Sequence, residues 1–167
     1  MGNTQENLKA AFAGESQANR RYLFSAEQAD RDGQKQIARL FRAVAEAETV
    51  HARNHLEAIG GVKSTRDNLE AAIGGEYDEF TQMYPGFIKN AKAEGNKRAE
   101  ISFDYGNKVE KIHHGLYQRA LTALDEGEGL KNEPYFVCQS CGYTVAGEAP
   151  EKCPICGAPR KMFKRVE

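Results

Sequence analysis

With 167 residues, 28% of them charged, and a net charge of -1, the chain suits one good-sized domain or a medium one with a small appendage. It has no global basic field to draw in nucleic acid or an anionic membrane. Its opening residues, Met1 to Glu6, carry no basic region followed by an apolar run, and no stretch of about 18 apolar residues occurs anywhere, so neither a signal peptide nor a membrane span is expected.

Residues 3 to about 126 contain one proline, Pro85, and long helical periodicity. Breaks at Asp32-Gly33, Gly60-Gly61 and Glu94-Gly95-Asn96, with a helix start at Ser64-Thr65-Arg66-Asp67, predict four long helices over roughly 3–31, 34–60, 66–94 and 97–126. Pro85 should kink or interrupt the third. A polar linker follows from Asp125 to Glu133, and from Pro134 the texture turns to Cys, Gly, Pro and Tyr. We therefore expect an all-α four-helix bundle over 1–130 and a small loop-rich domain over 134–167.

The helical part repeats itself. Leu8-Lys9-Ala10-Ala11-Phe12-Ala13-Gly14-Glu15 recurs about 61 residues later as Leu69-Glu70-Ala71-Ala72-Ile73-Gly74-Gly75-Glu76. Each copy is followed on its next helix by Glu-x-x-His: Glu48-Thr49-Val50-His51 and Glu110-Lys111-Ile112-His113. Two helix hairpins of one design are predicted.

Each helix has an apolar seam at spacings of three and four, and each seam is interrupted by carboxylates. The second runs Ile37, Phe41, Val44, Glu48, His51, His55, Ile59; the fourth runs Ala99, Phe103, Gly106, Glu110, His113, Tyr117, Leu121. The first has Glu15 between Ala11 and Ala18, and the third has Glu76 and Glu79 between Ala72 and Met83. A carboxylate in such a seam is costly to bury unless something positive compensates it. Five of them with two histidines demand cations. Glu on two helices plus Glu-x-x-His on two others is the pattern of ferritin-like di-iron or di-manganese sites, and oxygen with imidazole nitrogen suits iron or manganese. Glu79 has Ala18 as its repeat partner, so the site should be asymmetric. Tyr22 and Tyr84 are expected to pack in the core, with a hydrogen bond to a ligand carboxylate as the sharper role. His55 and His114 read as structural or exposed.

All four cysteines lie between 138 and 156, as Cys138-x-x-Cys141 and Cys153-Pro154-x-Cys156. This predicts tetrahedral thiolate binding of iron or zinc in a reducing, cytoplasmic compartment rather than a disulfide framework. The flanks Tyr135-Phe136-Val137, Gly142-Tyr143 and Gly157-Ala158-Pro159 favour a rubredoxin-type iron site over a zinc ribbon.

With these motifs in place the chain resembles the rubrerythrin family over nearly its whole length. The resemblance is carried by Ala13-Gly14-Glu15-Ser16, both Glu-x-x-His motifs, Gly75-Glu76-x-x-Glu79 running into Met83-Tyr84-Pro85, and the rubredoxin-like tail. It implies a di-iron centre that reduces hydrogen peroxide to water for oxidative-stress protection, fed by the four-cysteine iron from an unidentified electron donor. It also implies the ligands Glu15, Glu48, Glu76, Glu79, Glu110 and His113, with His51 exchanging for Glu79 as the redox state changes, and Cys138, Cys141, Cys153 and Cys156 around the third iron. The competing readings are a ferroxidase or iron-handling protein, and a non-enzymatic module with zinc in both sites.

One length constraint bears on assembly. In a ferritin-like bundle the second and third helices run parallel, so the chain must cross between them. From Glu48 to residue 60 is about 18 Å of helix and from residue 66 to Glu76 about 15 Å, whereas six extended residues reach only about 20 Å. Unless those helices end early, a single chain cannot close that bundle; a homodimer is expected, with domain swapping as the way to complete each site.

Overall fold

The structure is a computed structural model and describes residues 3–167; the first two residues of the expected 1–130 domain lie outside the described residues. It divides into two compact units, Met1–Lys63 and Ser64–Glu167.

The first unit is a helical hairpin. Helix α1, Thr4–Arg31, starts in a reciprocal capping box, the Glu6 N–H donating to the Asn3 side chain and the Asn3 N–H to the Glu6 carboxylate, each at 3.0 Å. It stops at Asp32-Gly33, and α2 spans Lys35–Ile59. The buried positions between the helices are alanines: Ala18, Ala26, Ala29, Ala38 and Ala45, with Phe41 packed against three of them. Small side chains let two helix backbones approach closely, but they leave larger apolar groups outside. Phe24, Ile37, Leu40 and Val50 are exposed. Across the middle, the Asn19 side-chain amide donates to the Ala45 carbonyl at 2.7 Å and to the Thr49 hydroxyl at 2.9 Å.

The second unit begins with α3, Thr65–Asp78, whose first turn is capped by Ser64 accepting from the Asp67 N–H. The predicted third helix is continuous in direction but not in type. Residues Glu79–Met83 form a π-helical turn, and α4 resumes over Tyr84–Ala93. Pro85 is the reason available in the sequence: it has no N–H, so it breaks the ordinary i→i−4 ladder. The Tyr84 N–H accordingly reaches back five residues to the Glu79 carbonyl. Helix α5, Lys97–Asp125, returns antiparallel to α3. A bidentate Arg66–Asp125 pair at 3.1 Å joins the start of α3 to the end of α5.

The chain then forms an antiparallel sheet in the order β2-β1-β3, with β1 Tyr135–Cys138, β2 Thr144–Ala146 and β3 Phe163–Val166. Tyr135 pairs with Ala146 and with Val166, so β1 is central. This cysteine-bearing sheet packs within the same unit as α3–α5: a Cβ on Gly142 would lie 3.6 Å from Val109, the one large side chain of α5 that is fully buried. The cut into compact units thus falls between residues 63 and 64, far from the change of composition near 130.

Replacing Asn19 by alanine removes the polar clip between α1 and α2. Urea unfolding of the metal-free protein should show a loss of about 1 kcal/mol for Asn19→Ala.

Candidate metal centres

Each hairpin gathers one cluster of potential ligands. In the first unit, donor atoms of Glu15, Glu48 and His51 lie within 4.8 Å of one another. The i,i+3 spacing of Glu48 and His51 on α2 places His51 Nδ1 2.8 Å from Glu48 Oε2, while α1 supplies Glu15 from across the hairpin. The Glu48 side chain is mostly buried and the His51 ring is about half exposed. In the second unit, Glu76 from α3 meets Glu110 and His113 from α5 within the same limit. His113 Nδ1 lies 2.7 Å from Glu110 Oε2 and 4.0 Å from Glu76 Oε1.

The other nitrogen of His113 is also engaged. Nε2 lies 3.0 Å from the Thr144 hydroxyl on β2, and that hydroxyl donates to the Gly142 carbonyl at 3.0 Å. With its own proton spent on Gly142, the Thr144 oxygen accepts from Nε2–H. This fixes the ring so that Nδ1 faces the carboxylates, the arrangement by which a ligating histidine is normally oriented. Thr144 carries no motif, and only the tertiary contact reveals it.

The electrostatics of the second cluster test whether it fits a cation. Burial, followed by the hydrogen bond and charge of Glu110, pushes the Glu76 carboxyl up to about 7. Glu110 is held below the usual carboxylate range by its hydrogen bond to His113, and His113 is raised by the same bond. Glu79, one turn beyond Glu76 and outside the tight cluster, is raised by partial burial and by Glu110. Two carboxylates this close are tolerable only with a shared proton or a bound cation. The oxygen and nitrogen donors fit iron, and the ions would take the place of those protons.

Tyr84 reaches the same region from the start of α4. Its ring lies over α5 beside Phe103 and Phe87, with centroids 6.3 Å from each. Burial and then the charges of Glu110, Glu79 and Glu76 raise its phenol, which therefore stays protonated. In the first unit Tyr22 packs against Phe41 with centroids 6.1 Å apart. His114, expected to be structural or exposed, sits half-buried against the rings of Tyr77 and Phe80.

The four cysteines form the third cluster, all with donor atoms within 4.8 Å of one another and none in a disulfide. Cys138 and Cys156 Sγ are 3.7 Å apart, and Cys141 and Cys153 Sγ 3.5 Å. A tetrahedron with metal–sulfur bonds of about 2.3 Å has edges of about 3.8 Å, so the thiols are already near ligand spacing. Each knuckle closes in the same way, the Gly142 N–H donating to the Cys138 carbonyl at 2.8 Å and the Gly157 N–H to the Cys153 carbonyl at 2.9 Å. Both glycines have positive φ, +85° and +75°, which a side chain would oppose. Backbone N–H groups then aim at sulfur: Ser140 and Cys141 at Cys138, Tyr143 at Cys141, and Ala158 at Cys156. Burial works against the Cys156 thiolate, but the Ala158 N–H and the neighbouring thiols outweigh it and bring that thiol down to about 7. Burial pushes the Cys141 thiol up. One acidic thiol among buried ones marks a set that a metal would deprotonate fully.

The family model "Rubrerythrin" matches residues 6–121, and that for "Rubrerythrin, rubredoxin-like domain" matches 136–164. The chain belongs to the rubrerythrin family. Rubrerythrin-2 of Clostridium acetobutylicum is 36% identical over 175 residues, covering 96% of this chain and 95% of that one. Nigerythrin of Nitratidesulfovibrio vulgaris is 35% identical, covering 98% of this chain and 86% of its own. A solved structure of nigerythrin in the fully reduced, all-ferrous state matches with a TM-score of 0.59 at 35% identity, over 99% of this chain and 88% of that one. Family membership and the three ligand clusters together establish a carboxylate di-iron site and a four-cysteine rubredoxin-like site. No helix among the described residues is long and apolar enough to cross a membrane.

The second cluster makes a pH prediction. Glu76 and His113 both bind protons more tightly in the folded metal-free protein than in the unfolded chain. Their contribution to stability is therefore greatest at low pH and is lost as pH rises, for Glu76 between 4.5 and about 7. The melting temperature of metal-free protein should fall between pH 6 and pH 8, and Glu76→Gln should flatten that fall. Iron-loaded protein should show the opposite slope, because metal binding releases those protons.

Proposed function

We propose that this protein is a hydrogen peroxide reductase, drawing single electrons from a donor through the four-cysteine iron and using two of them at the di-iron site, with two protons from solvent, to turn peroxide into two waters. The observation that carries this reading is the His113–Thr144 contact: one hydrogen bond joins a ligand of the carboxylate cluster to the strand that leaves the Cys138–Cys141 knuckle. Iron in the two sites supplies the redox chemistry, two electrons to each peroxide and one at a time from the thiolate site.

The residues have distinct parts. Glu15, Glu48, Glu76, Glu110 and His113 would hold the ion pair, which would supply the redox chemistry. Cys138, Cys141, Cys153 and Cys156 hold the third iron. Glu79 and His51 are the groups assigned to the reaction itself and would serve as alternative ligands. Their environments suit this: Glu79's partial burial and its neighbour Glu110 weaken it as an anion, and His51 is half-exposed on its helix. Thr144 keeps the Nε2 proton of His113 in place, so that Nδ1 remains a ligand. The functional division is 1–130 for the helical domain and 134–167 for the iron domain, and the free cysteines suit a reducing cytoplasm.

The centre is shared between two chains in this reading. Helix α2 persists to Ile59 and α3 begins at Thr65, so neither end shortens to ease the crossing. Each hairpin brings half a ligand set and leaves large apolar side chains, among them Ile37, Leu40 and Ile101, exposed. A second copy would cover such faces.

Two experiments test the reading. Anaerobically reduced, iron-loaded protein should regain its ferric thiolate absorbance rapidly on adding peroxide; recovery only with oxygen would favour a ferroxidase instead. Separately, Glu48→Gln and Glu110→Gln homodimers should each be inactive, yet co-refolding them in equal amounts should restore about a quarter of wild-type activity. Half of those dimers are mixed, and one of the two centres in each mixed dimer is intact. No recovery would mean each centre is built within one chain.

A further inference from the structure

The two hairpins differ at one seam position in a way that the ligands do not explain. Four residues before Glu48 stands Val44, and four before Glu110 stands Gly106. Glycine in the middle of a long helix is unfavourable, and alanine would suit α5 better. The space is already taken. A Cβ on residue 106 would come within 2.7 Å of Tyr84 Cζ, 2.9 Å of its hydroxyl oxygen and 3.0 Å of Cε1. These atoms form the stiff end of an aromatic ring and cannot simply bend aside.

The approach from the other side is equally particular. A residue five beyond Glu79 on a regular α-helix would point about 140° away from it. The π-turn closes over five residues instead of four, with the Tyr84 N–H on the Glu79 carbonyl, and brings Tyr84 back toward the carboxylate face. The first hairpin has neither feature: α1 runs unbroken from Thr4 to Arg31, and Tyr22 packs on Phe41 beside Val44. Gly106 and Tyr84 therefore belong to the same local departure from the repeat as Glu79.

We propose that Gly106 is a positioning residue for the carboxylate–histidine centre: by lacking a side chain it seats the Tyr84 hydroxyl against α5, one turn from Glu110, where the phenol donates a hydrogen bond to the carboxylates of the loaded site. The proposal rests on the metal-centre reading above. If Gly106 only made room for a packed ring, phenylalanine at 84 would do as well.

The test compares Gly106→Ala, Tyr84→Phe and the double variant in full-length protein loaded with cobalt(II). Three readouts are taken: cobalt bound per chain, the visible cobalt spectrum, and peroxide turnover of the iron-loaded forms. Tyr84→Phe keeps the ring and should still bind cobalt in full, but with a shifted spectrum and about tenfold lower turnover, as is usual when a group supporting a ligand is lost. Gly106→Ala should give the same shift, and the double variant should be no worse than either single. Additive effects, or a Tyr84→Phe protein with wild-type spectrum and turnover, would overturn the proposal. Should Gly106→Ala fail to fold, Gly106→Ala combined with Tyr84→Leu, which removes the ring atoms the added methyl would meet, should fold and show the Tyr84→Phe spectrum; a combined variant that still fails to fold would overturn the proposal. Wild-type protein that binds no cobalt outside the cysteines would instead overturn the metal-centre reading.

Discussion

Carboxylates crowded into an apolar helix seam are the constraint on which the rest of this molecule depends. Without a cation, burial and then the neighbouring Glu110 push the Glu76 carboxyl up to about 7, while the hydrogen bond to Glu110 raises His113. The fold tolerates that cost because it is removed when the site is filled. The same constraint governs the packing. Helices that must present ligands to one another stay close, and in the first hairpin closeness is achieved with alanines. Large side chains are displaced to the outer faces, and these then need covering.

Symmetry is the starting point of this design, and the departures from it carry the chemistry. Two hairpins of one pattern supply two Glu-x-x-His pairs and two facing glutamates. Only the second has Glu79, the π-turn, Pro85 and the Tyr84–Gly106 contact. These are mechanically linked. Pro85 cannot donate to the ladder, the ladder yields by one residue, and the extra residue changes which side chains after Glu79 face α5. A centre of identical halves would bind metal. Unequal halves, with a carboxylate on one side and an exposed histidine on the other, would provide the two different ligands that the proposed exchange needs.

Much of this was legible in the sequence because it is local. Cap residues, Gly-containing stops and i,i+3 ligand pairs depend on neighbours along the chain, so Ser64, Gly60 and both Glu-x-x-His motifs announce themselves. The four-cysteine geometry is equally local, with each Cys-x-x-Cys-Gly closing on its own backbone. What stayed hidden depends on contacts across the fold. Pro85 was readable as a disturbance, but a π-turn differs from a kink only in how α3 and α4 are held against α5. Thr144 looks like any strand residue until His113 is found beside it. Gly106 sits in the seam as one small residue among several, and only the Tyr84 ring shows what the missing side chain makes room for.

A centre divided between hairpins has a consequence for assembly if, as proposed, the halves come from two chains. Each chain alone then offers one carboxylate–carboxylate–histidine cluster per hairpin, enough to hold an ion weakly but not to bridge a pair. Ion-pair binding and dimerisation become linked equilibria, since whatever binds only the complete site stabilises the dimer by mass action. In that reading the short connection from Gly60 to Ser64 is what would enforce the linkage. A longer crossover would let one chain close its own bundle, and metal loading would then be independent of protein concentration. The four-cysteine module needs no such partner, because all its ligands and the N–H groups that face them come from residues 138–158. The four-cysteine site can therefore form in each chain alone, whereas under the proposed swap the carboxylate site would need two.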